Sequence, residues 1–272
     1  ESRWTEIPVI TAEIRGADED FVMVTGHVDS WGLGALDNAS GNACAVELAR
    51  ILAPLASDMR RSVRFVLWSG HSHGRYAGST AWCDAHFEEL ERHCLLNVNS
   101  DCLGGRGATV MTESPAMAST RGLARTALRE AAGVTDWRGC RFSRSCDQSF
   151  WGAGVPSIFS QVSEQPPFEG AAADAFGKMF GSGRTGGFGA WWHTRTDTPD
   201  KLDPENLARD VRVFASVLAH ALFDERLPVD AAAEVLELRD ELKAWQEKAG
   251  DSLDLSEVLA RLDLLAEALE AT

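Results

Sequence analysis

The chain has 272 residues, 44% of them hydrophobic and 25% charged, and this balance excludes a disordered protein. Its formal net charge of -15 argues against a nucleic-acid groove or an anionic membrane surface, because phosphate recognition needs clustered Lys and Arg. No stretch reaches the apolar length of a membrane span. We therefore expect one globular α/β domain with a helical extension, and neither nucleic acid nor membrane as a partner.

Apolar, β-branched runs predict a buried sheet. They cover residues 7–14, 21–27, 62–68, 94–99 and 157–159. Polar residues follow three of these runs directly: His27 ends the second, His71 and His73 follow the third, and Asp101 follows the fourth. Open α/β sheets bind ligands at the carboxyl ends of their strands, so we expect a functional site there.

Helical spacing of apolar residues predicts the elements between and after the strands. The predicted helices cover residues 40–53, 79–87, 115–132, 205–223, 231–248 and 254–270, the last two as an antiparallel pair. Residues 163–190 are rich in Gly, Ala and Phe without a period, which predicts a long loop that is either functional or mobile. We expect a catalytic domain over residues 1–226 and a helical pair over 227–272.

Cysteine usage and the start of the chain bear on its location and completeness. The cysteines include no CxxC pair and several lie in apolar runs, so we expect buried free thiols and a cytoplasmic protein. They are Cys44, Cys83, Cys94, Cys102, Cys140 and Cys146. The chain has no initiator Met, so we expect a fragment or a processed piece.

Four residues after strands or in loops are candidate metal ligands: His27, Asp37, Asp101 and His193. An imidazole and a carboxylate suit a zinc-like cation, although His27 or Asp37 alone also fits a core histidine or an Asx turn. A centre of two cations needs a bridging carboxylate plus an imidazole and a carboxylate on each ion, with the ions about 3.5 to 4 Å apart.

The ordered motifs GHVDS, LDNASG, NSD and WHTRTDTPDKLD resemble the dinuclear zinc exopeptidases of the aminopeptidase and glutamate carboxypeptidase type over about residues 20–225. The resemblance implies a three-layer α/β/α fold with a mixed central sheet. It also implies one or two zinc ions and hydrolysis of peptide or amide bonds, with a metal-bound water as the nucleophile. Larger relatives carry a further domain ahead of the catalytic part, so we expect one upstream of this chain.

The resemblance assigns roles position by position. It implies that Asp37 bridges two ions, that His27 and Asp101 complete one ion site, and that His193 belongs to the other. Asp29, two residues after His27, would orient that imidazole and is a candidate catalytic residue.

The loop after the third strand departs from the family. Members carry two adjacent glutamates there, a general base and a metal ligand, whereas this chain has Gly70-His71-Ser72-His73-Gly74. Aligned from Gly70, His71 replaces the base and Ser72 the ligand; aligned back from Gly78, Ser72 replaces the base and His73 the ligand.

Serine is a poor ligand and a poor base, so we favour one histidine of this loop as a ligand and the other facing the attacking water. We take His71 as the catalytic base and His73 as the ligand, on one side of an extended segment. A single-metal centre is the alternative.

Further residues are candidates for substrate binding. Arg75 and Tyr76 could hold a substrate carboxylate, and Trp192 could wall an apolar pocket with Phe188 and Trp191. The acidic helices over residues 229–270 resemble dimerisation helices of the larger members, which implies a possible homodimer.

We therefore predict a zinc-dependent exopeptidase-like hydrolase of peptides or small amides with a histidine base. The alternative is a catalytically inactive binding or assembly module that keeps the fold and at most one metal.

Overall fold

The central feature of the computed structural model, which describes residues 3, 5–142, 148–171, 174 and 185–270, is a five-stranded mixed sheet. The strand order is β1-β3-β2-β4-β5, with β1 antiparallel to β3 and the other neighbours parallel. The strands are β1 (Val9–Ile14), β2 (Phe21–His27), β3 (Ser62–Trp68), β4 (Cys94–Asn99) and β5 (Ser157–Ile158). The predicted mixed sheet is confirmed.

The helices lie between and after these strands. They are α1 (Gly41–Leu52), α2 (His71–Gly74), α3 (Ala77–Ala85), α4 (Phe87–His93), α5 (Arg121–Ala132), α6 (Pro204–Phe223), α7 (Ala231–Ala249) and α8 (Ser256–Glu270). The helix predicted over residues 79–87 ends at Ala85, and a second one begins after His86, whose φ of -119° is not helical. The helix predicted from residue 115 begins later, because Pro115 and Ala116 form bridges with Cys140 and Ile158.

Strand β2 explains the layering, because it is buried at all its positions and lies between β3 and β4. Its side chains alternate between faces: Val22 and Val24 join a core formed with α1, α5 and α6, whereas Phe21 and Met23 join a second core formed with α3 and α4. Helices therefore cover both faces of the sheet, as expected for the predicted α/β/α fold.

The C-terminal helices pair with each other and dock onto the rest of the chain. Arg239 of α7 lies 3.0 Å from Asp263 of α8, and Gln246 accepts a hydrogen bond from the Leu255 N–H, so the contacts run in antiparallel order. Helix α7 also contacts the start of α5, where Glu237 pairs with Arg121 at 2.9 Å. The domain boundary at residues 226 and 227 stays a prediction.

Two further expectations concern thiols and membranes. Among the described cysteines, Cys140 is exposed and the other four are buried, whereas Cys146 lies outside the described residues, as do residues 172, 173 and 175–184 of the predicted long loop. Among the helices that the structure describes, none is both long and apolar enough to cross a membrane.

Candidate metal centre

The carboxyl ends of the parallel strands bring four predicted ligands together. His27 is the last residue of β2, Asp101 follows β4, Asp37 lies between β2 and α1, and His193 lies in the loop that precedes α6. His27 Nε2 lies 3.0 Å from Asp37 Oδ1 and 3.5 Å from Asp101 Oδ1. His193 Nε2 lies 2.9 Å from Asp37 Oδ2. Asp37 thus presents one oxygen to each imidazole, as a bridging carboxylate would.

The electrostatics of this cluster favour added positive charge. Burial opposes ionisation of His27, but Asp101, Asp29 and Asp37 outweigh it and raise the pKa of His27 to about 12. Burial also opposes the Asp37 carboxylate, yet hydrogen bonds from His193 and His27 hold its pKa below its usual value. Beyond their contacts with His27 Nε2, the buried oxygens Asp37 Oδ1 and Asp101 Oδ1 have no hydrogen bond among the described residues. Buried carboxylate oxygens of this kind fit a cation.

Asp197 fixes the backbone of the central carboxylate. It is 2% exposed, and its side chain accepts hydrogen bonds from the N–H groups of Leu36 at 2.8 Å and Asp37 at 3.0 Å. Sequence reasoning missed this role, although Asp197 lies in the same motif as His193, four residues later. The hydrophobic pattern around Asp197 does not indicate this role, but a second acidic residue in a motif that carries a candidate ligand does.

Asp29 connects His27 to the loop that replaces the glutamate pair. Its backbone oxygen lies 2.8 Å from His27 Nδ1, whereas its carboxylate lies 3.6 Å from that atom. The carboxylate accepts the N–H groups of His71 at 3.2 Å and Ser72 at 2.7 Å. Despite the opposing effect of burial, His27 and these N–H groups lower the pKa of Asp29. The orienting role of its carboxylate stays a prediction.

The two loop histidines occupy different environments. The segment forms the single helical turn α2 rather than an extended strand, so residues two apart do not share a side. The His71 ring stacks on His27 with 4.3 Å between centroids, and its ring nitrogen lies within 4.8 Å of ligand atoms of His27 and Asp101. His73 is exposed and lies 5.4 Å from the Trp31 ring. Its ligand role stays a prediction.

A cavity of about 300 Å³ opens over the cluster. Its lining comprises Trp31, Asp37, His71, Arg75, Asp101, Ser160, Gln161, Phe188, Trp192 and His193. Two predicted substrate residues, Arg75 and Trp192, are therefore in the lining, and Tyr76 accepts a hydrogen bond from Arg75 at 3.1 Å. Sequence reasoning missed Trp31, which is 53% exposed and lies 5.6 Å from the His193 ring.

Cys102 is a further neighbour that sequence reasoning missed. Its sulfur and one carboxylate oxygen each of Asp37 and Asp101 lie within 4.8 Å of one another. Burial, followed by the charges of these two carboxylates, raises the pKa of the Cys102 thiol well above its usual value.

The α/β/α fold brings two imidazoles and two carboxylates together at the ends of parallel strands. This arrangement is typical of metal-dependent hydrolases. Comparison with protein families makes this specific: the model of peptidase family M28 matches residues 9–218, and the chain belongs to that family. Family membership confirms zinc as the predicted cofactor, commonly as one or two ions.

Individual relatives match parts of the chain. The glutamate carboxypeptidase 2 homolog of Caenorhabditis briggsae is 27% identical over 110 residues, which are 38% of this chain and 14% of that protein. Aminopeptidase YwaD of Bacillus subtilis (strain 168) is 24% identical over 213 residues, 77% of this chain and 43% of the relative. The chain thus spans less than half the length of these curated relatives.

Among solved structures, BSAP, a zinc aminopeptidase from Bacillus subtilis, has a similar fold. Its TM-score is 0.61 at 21% identity, and the match covers 80% of this chain and 51% of that chain. This similarity confirms the fold predicted from the sequence.

Proposed function

We propose that this chain carries the catalytic site of a zinc-dependent, exopeptidase-like hydrolase of peptide or amide bonds. The observation that supports this most is the position of Asp37, one oxygen toward His27 and the other toward His193. Close by, Asp101 Oδ1 is buried and lacks a hydrogen bond within the described chain. Two buried carboxylates this close repel each other unless a positive charge lies between them.

In this proposal Asp37 would hold both zinc ions, His27 and Asp101 would complete one site, and His193 would serve the other, with His73 as a further candidate ligand. When bound, zinc polarises a carbonyl and makes water more acidic. In the one-metal alternative, Asp37, His27 and Asp101 would bind a single ion.

His71 replaces the usual glutamate base. It lines the cavity beside Asp101, and its backbone N–H is held by the Asp29 carboxylate. A neutral imidazole can accept a proton from water and return it to the leaving amine. In this role the His71 ring would move the proton, and the Asp29 carboxylate would keep the turn in place.

The size and the lining of the cavity indicate the kind of substrate that would fit. A volume of about 300 Å³ suits a small peptide or amide. Arg75 offers a planar, two-donor contact to a substrate carboxylate, and Tyr76 fixes the guanidinium through its hydroxyl. Trp192 stacks on His193 at 3.6 Å and forms an apolar wall.

Metal analysis with matched variants tests the function. The purified chain should retain zinc and hydrolyse aminoacyl amides or dipeptides, and Asp37→Ala should lose both. His71→Ala should keep its metal and lose about 10² to 10⁴ in turnover, whereas His73→Ala should lose metal stoichiometry. His93→Ala, remote from the cluster, is the control. Absence of zinc at saturating concentration, or undiminished hydrolysis by Asp37→Ala, would refute the proposal.

A second candidate function is a catalytically inactive binding or assembly module. It is favoured by one observation: residues 69–76 contain no carboxylate where the family has its glutamate pair. In that case the chain would bind at most one zinc ion, and His71→Ala would leave the affinity of the module for its binding partner unchanged. Zinc binding without hydrolysis of any tested amide would support this candidate.

We also propose a cytoplasmic homodimer that forms through α7 and α8. The two helices expose large apolar side chains, among them Trp245 at 60% and Leu264 at 67%. Such a patch suits a second copy of the same surface. Sedimentation should show a dimer that Trp245→Glu and Leu264→Glu weaken; a monomeric wild-type chain would refute this part.

A further inference from the structure

Cys102 is held at the metal cluster by its backbone. It follows Asp101, is 3% exposed and has a φ of 54°, in the left-handed region. Its N–H donates to Asn38 Oδ1 at 3.4 Å, and the next N–H, of Leu103, donates to Ser40 Oγ at 2.9 Å. These bonds tie Cys102 to the segment that carries the bridging carboxylate.

The position of the sulfur suits metal coordination. Cys102 Sγ and one oxygen each of Asp37 and Asp101 lie within 4.8 Å of one another. Because zinc binds sulfur at about 2.3 Å and oxygen at about 2.0 to 2.2 Å, one ion can reach all three after a small side-chain adjustment.

A second observation points to an ion at this place. Asp37 Oδ1 and Asp101 Oδ1 are both buried, and beyond their contacts with His27 Nε2 at 3.0 and 3.5 Å neither oxygen has a hydrogen bond among the described residues. A cation between these oxygens and the Cys102 sulfur would neutralise the two carboxylates.

We propose that Cys102 is a thiolate ligand of the metal centre and binds the same ion as Asp37 and Asp101. The inference rests on the proposed function in that it takes this cluster as the zinc site. Coordination forms a metal–sulfur bond and releases the thiol proton to solvent. A thiolate also favours Zn²⁺ and Co²⁺ over hard ions such as Mn²⁺ and Mg²⁺.

Cobalt(II) titration of the full chain tests this directly. The wild-type protein should show the near-ultraviolet charge-transfer band of a cobalt–thiolate bond together with the visible bands of bound cobalt. Cys102→Ser should lose the near-ultraviolet band and bind cobalt about tenfold or more weakly. Cys140→Ser, which changes an exposed cysteine, should retain both features.

X-ray absorption at the zinc edge of the wild-type protein does not depend on whether Cys102→Ser folds. A sulfur neighbour at about 2.3 Å from zinc supports the proposal. Bound zinc with only nitrogen and oxygen neighbours, or a Cys102→Ser protein that retains the charge-transfer band, overturns the thiolate and leaves the proposed hydrolase intact. Failure to bind either metal overturns both.

Discussion

Replacing Asp197 tests whether the central carboxylate depends on a buried acceptor. Its two oxygens accept the N–H groups of Leu36 and Asp37, and the side chain is almost fully buried. A hydrogen bond to a charged group contributes about 1.5 to 3 kcal/mol. Asp197→Asn keeps one acceptor oxygen, so we expect its free energy of unfolding to fall by about 1.5 to 3 kcal/mol. Asp197→Ala removes both acceptors and should cost roughly twice as much.

Urea unfolding of the metal-free protein measures this loss, and a zinc titration measures its effect on the centre. Because Asp197 positions the backbone of Asp37, we expect zinc affinity to fall about 10- to 100-fold in Asp197→Asn. Asp200→Asn is the matched control, since Asp200 is exposed on the same loop and its carboxylate accepts hydrogen bonds from its neighbours Thr198 and Lys201; its effect on stability should be much smaller than that of Asp197→Asn.

Unfolding of Asp197→Asn at the same urea concentration as the control would contradict a structural role of the Asp197 carboxylate. A drop in stability with unchanged zinc affinity would contradict the positioning role, because Asp197 would then support the fold without positioning Asp37. Circular dichroism of the folded variant separates a local loss from global unfolding.

Three further predictions follow from contacts outside and inside the centre. Arg61 is buried and donates hydrogen bonds to three backbone carbonyls around the end of α6. We expect Arg61→Ala to lower the free energy of unfolding, measured with urea, by about 2 to 4 kcal/mol. Arg60→Ala, which changes an exposed neighbour, should lower it by less than about 1 kcal/mol. Two flanking carboxylates raise the pKa of His220. The contribution of protonated His220 to folding stability is therefore complete below the unfolded pKa of about 6.5 and is lost as pH rises through the folded pKa. We expect His220→Gln to lower the free energy of unfolding by under about 1 kcal/mol at pH 6 and by nothing measurable at pH 9. Asp29→Ala removes the acceptor of the His71 N–H. We expect turnover to fall about 10- to 100-fold while the zinc content stays unchanged. A proportional loss of zinc would instead show that Asp29 stabilises metal binding.

The convergence of the candidate metal ligands was predictable from the sequence. Parallel strands place their carboxyl ends at one edge, so polar residues at the ends of β2 and β4 had to meet. His193 joined them only through its motif, because it comes from a loop without a periodic pattern. The conformation of α2 was not predictable, since a short polar segment has no hydrophobic period to distinguish a turn of helix from an extended strand.

Asp197 and Cys102 show a different limit of sequence reasoning. The function of each depends on atoms far away in the chain: the N–H groups of Leu36 and Asp37 lie about 160 residues from Asp197. Such contacts arise from tertiary packing, which spacing in a single sequence does not encode.

The loop that carries the substrate arginine bends through conformations that disfavour side chains. Arg75 and Tyr76 both have positive φ angles, 36° and 65°, and such a residue costs about 1 to 3 kcal/mol. Glycine at position 75 would relieve strain but remove a group from the cavity wall, and glycine at position 76 would remove the hydroxyl that accepts the Arg75 hydrogen bond. If the proposed substrate contact holds, the loop gives up conformational stability for recognition, and stabilising substitutions should spare these two positions.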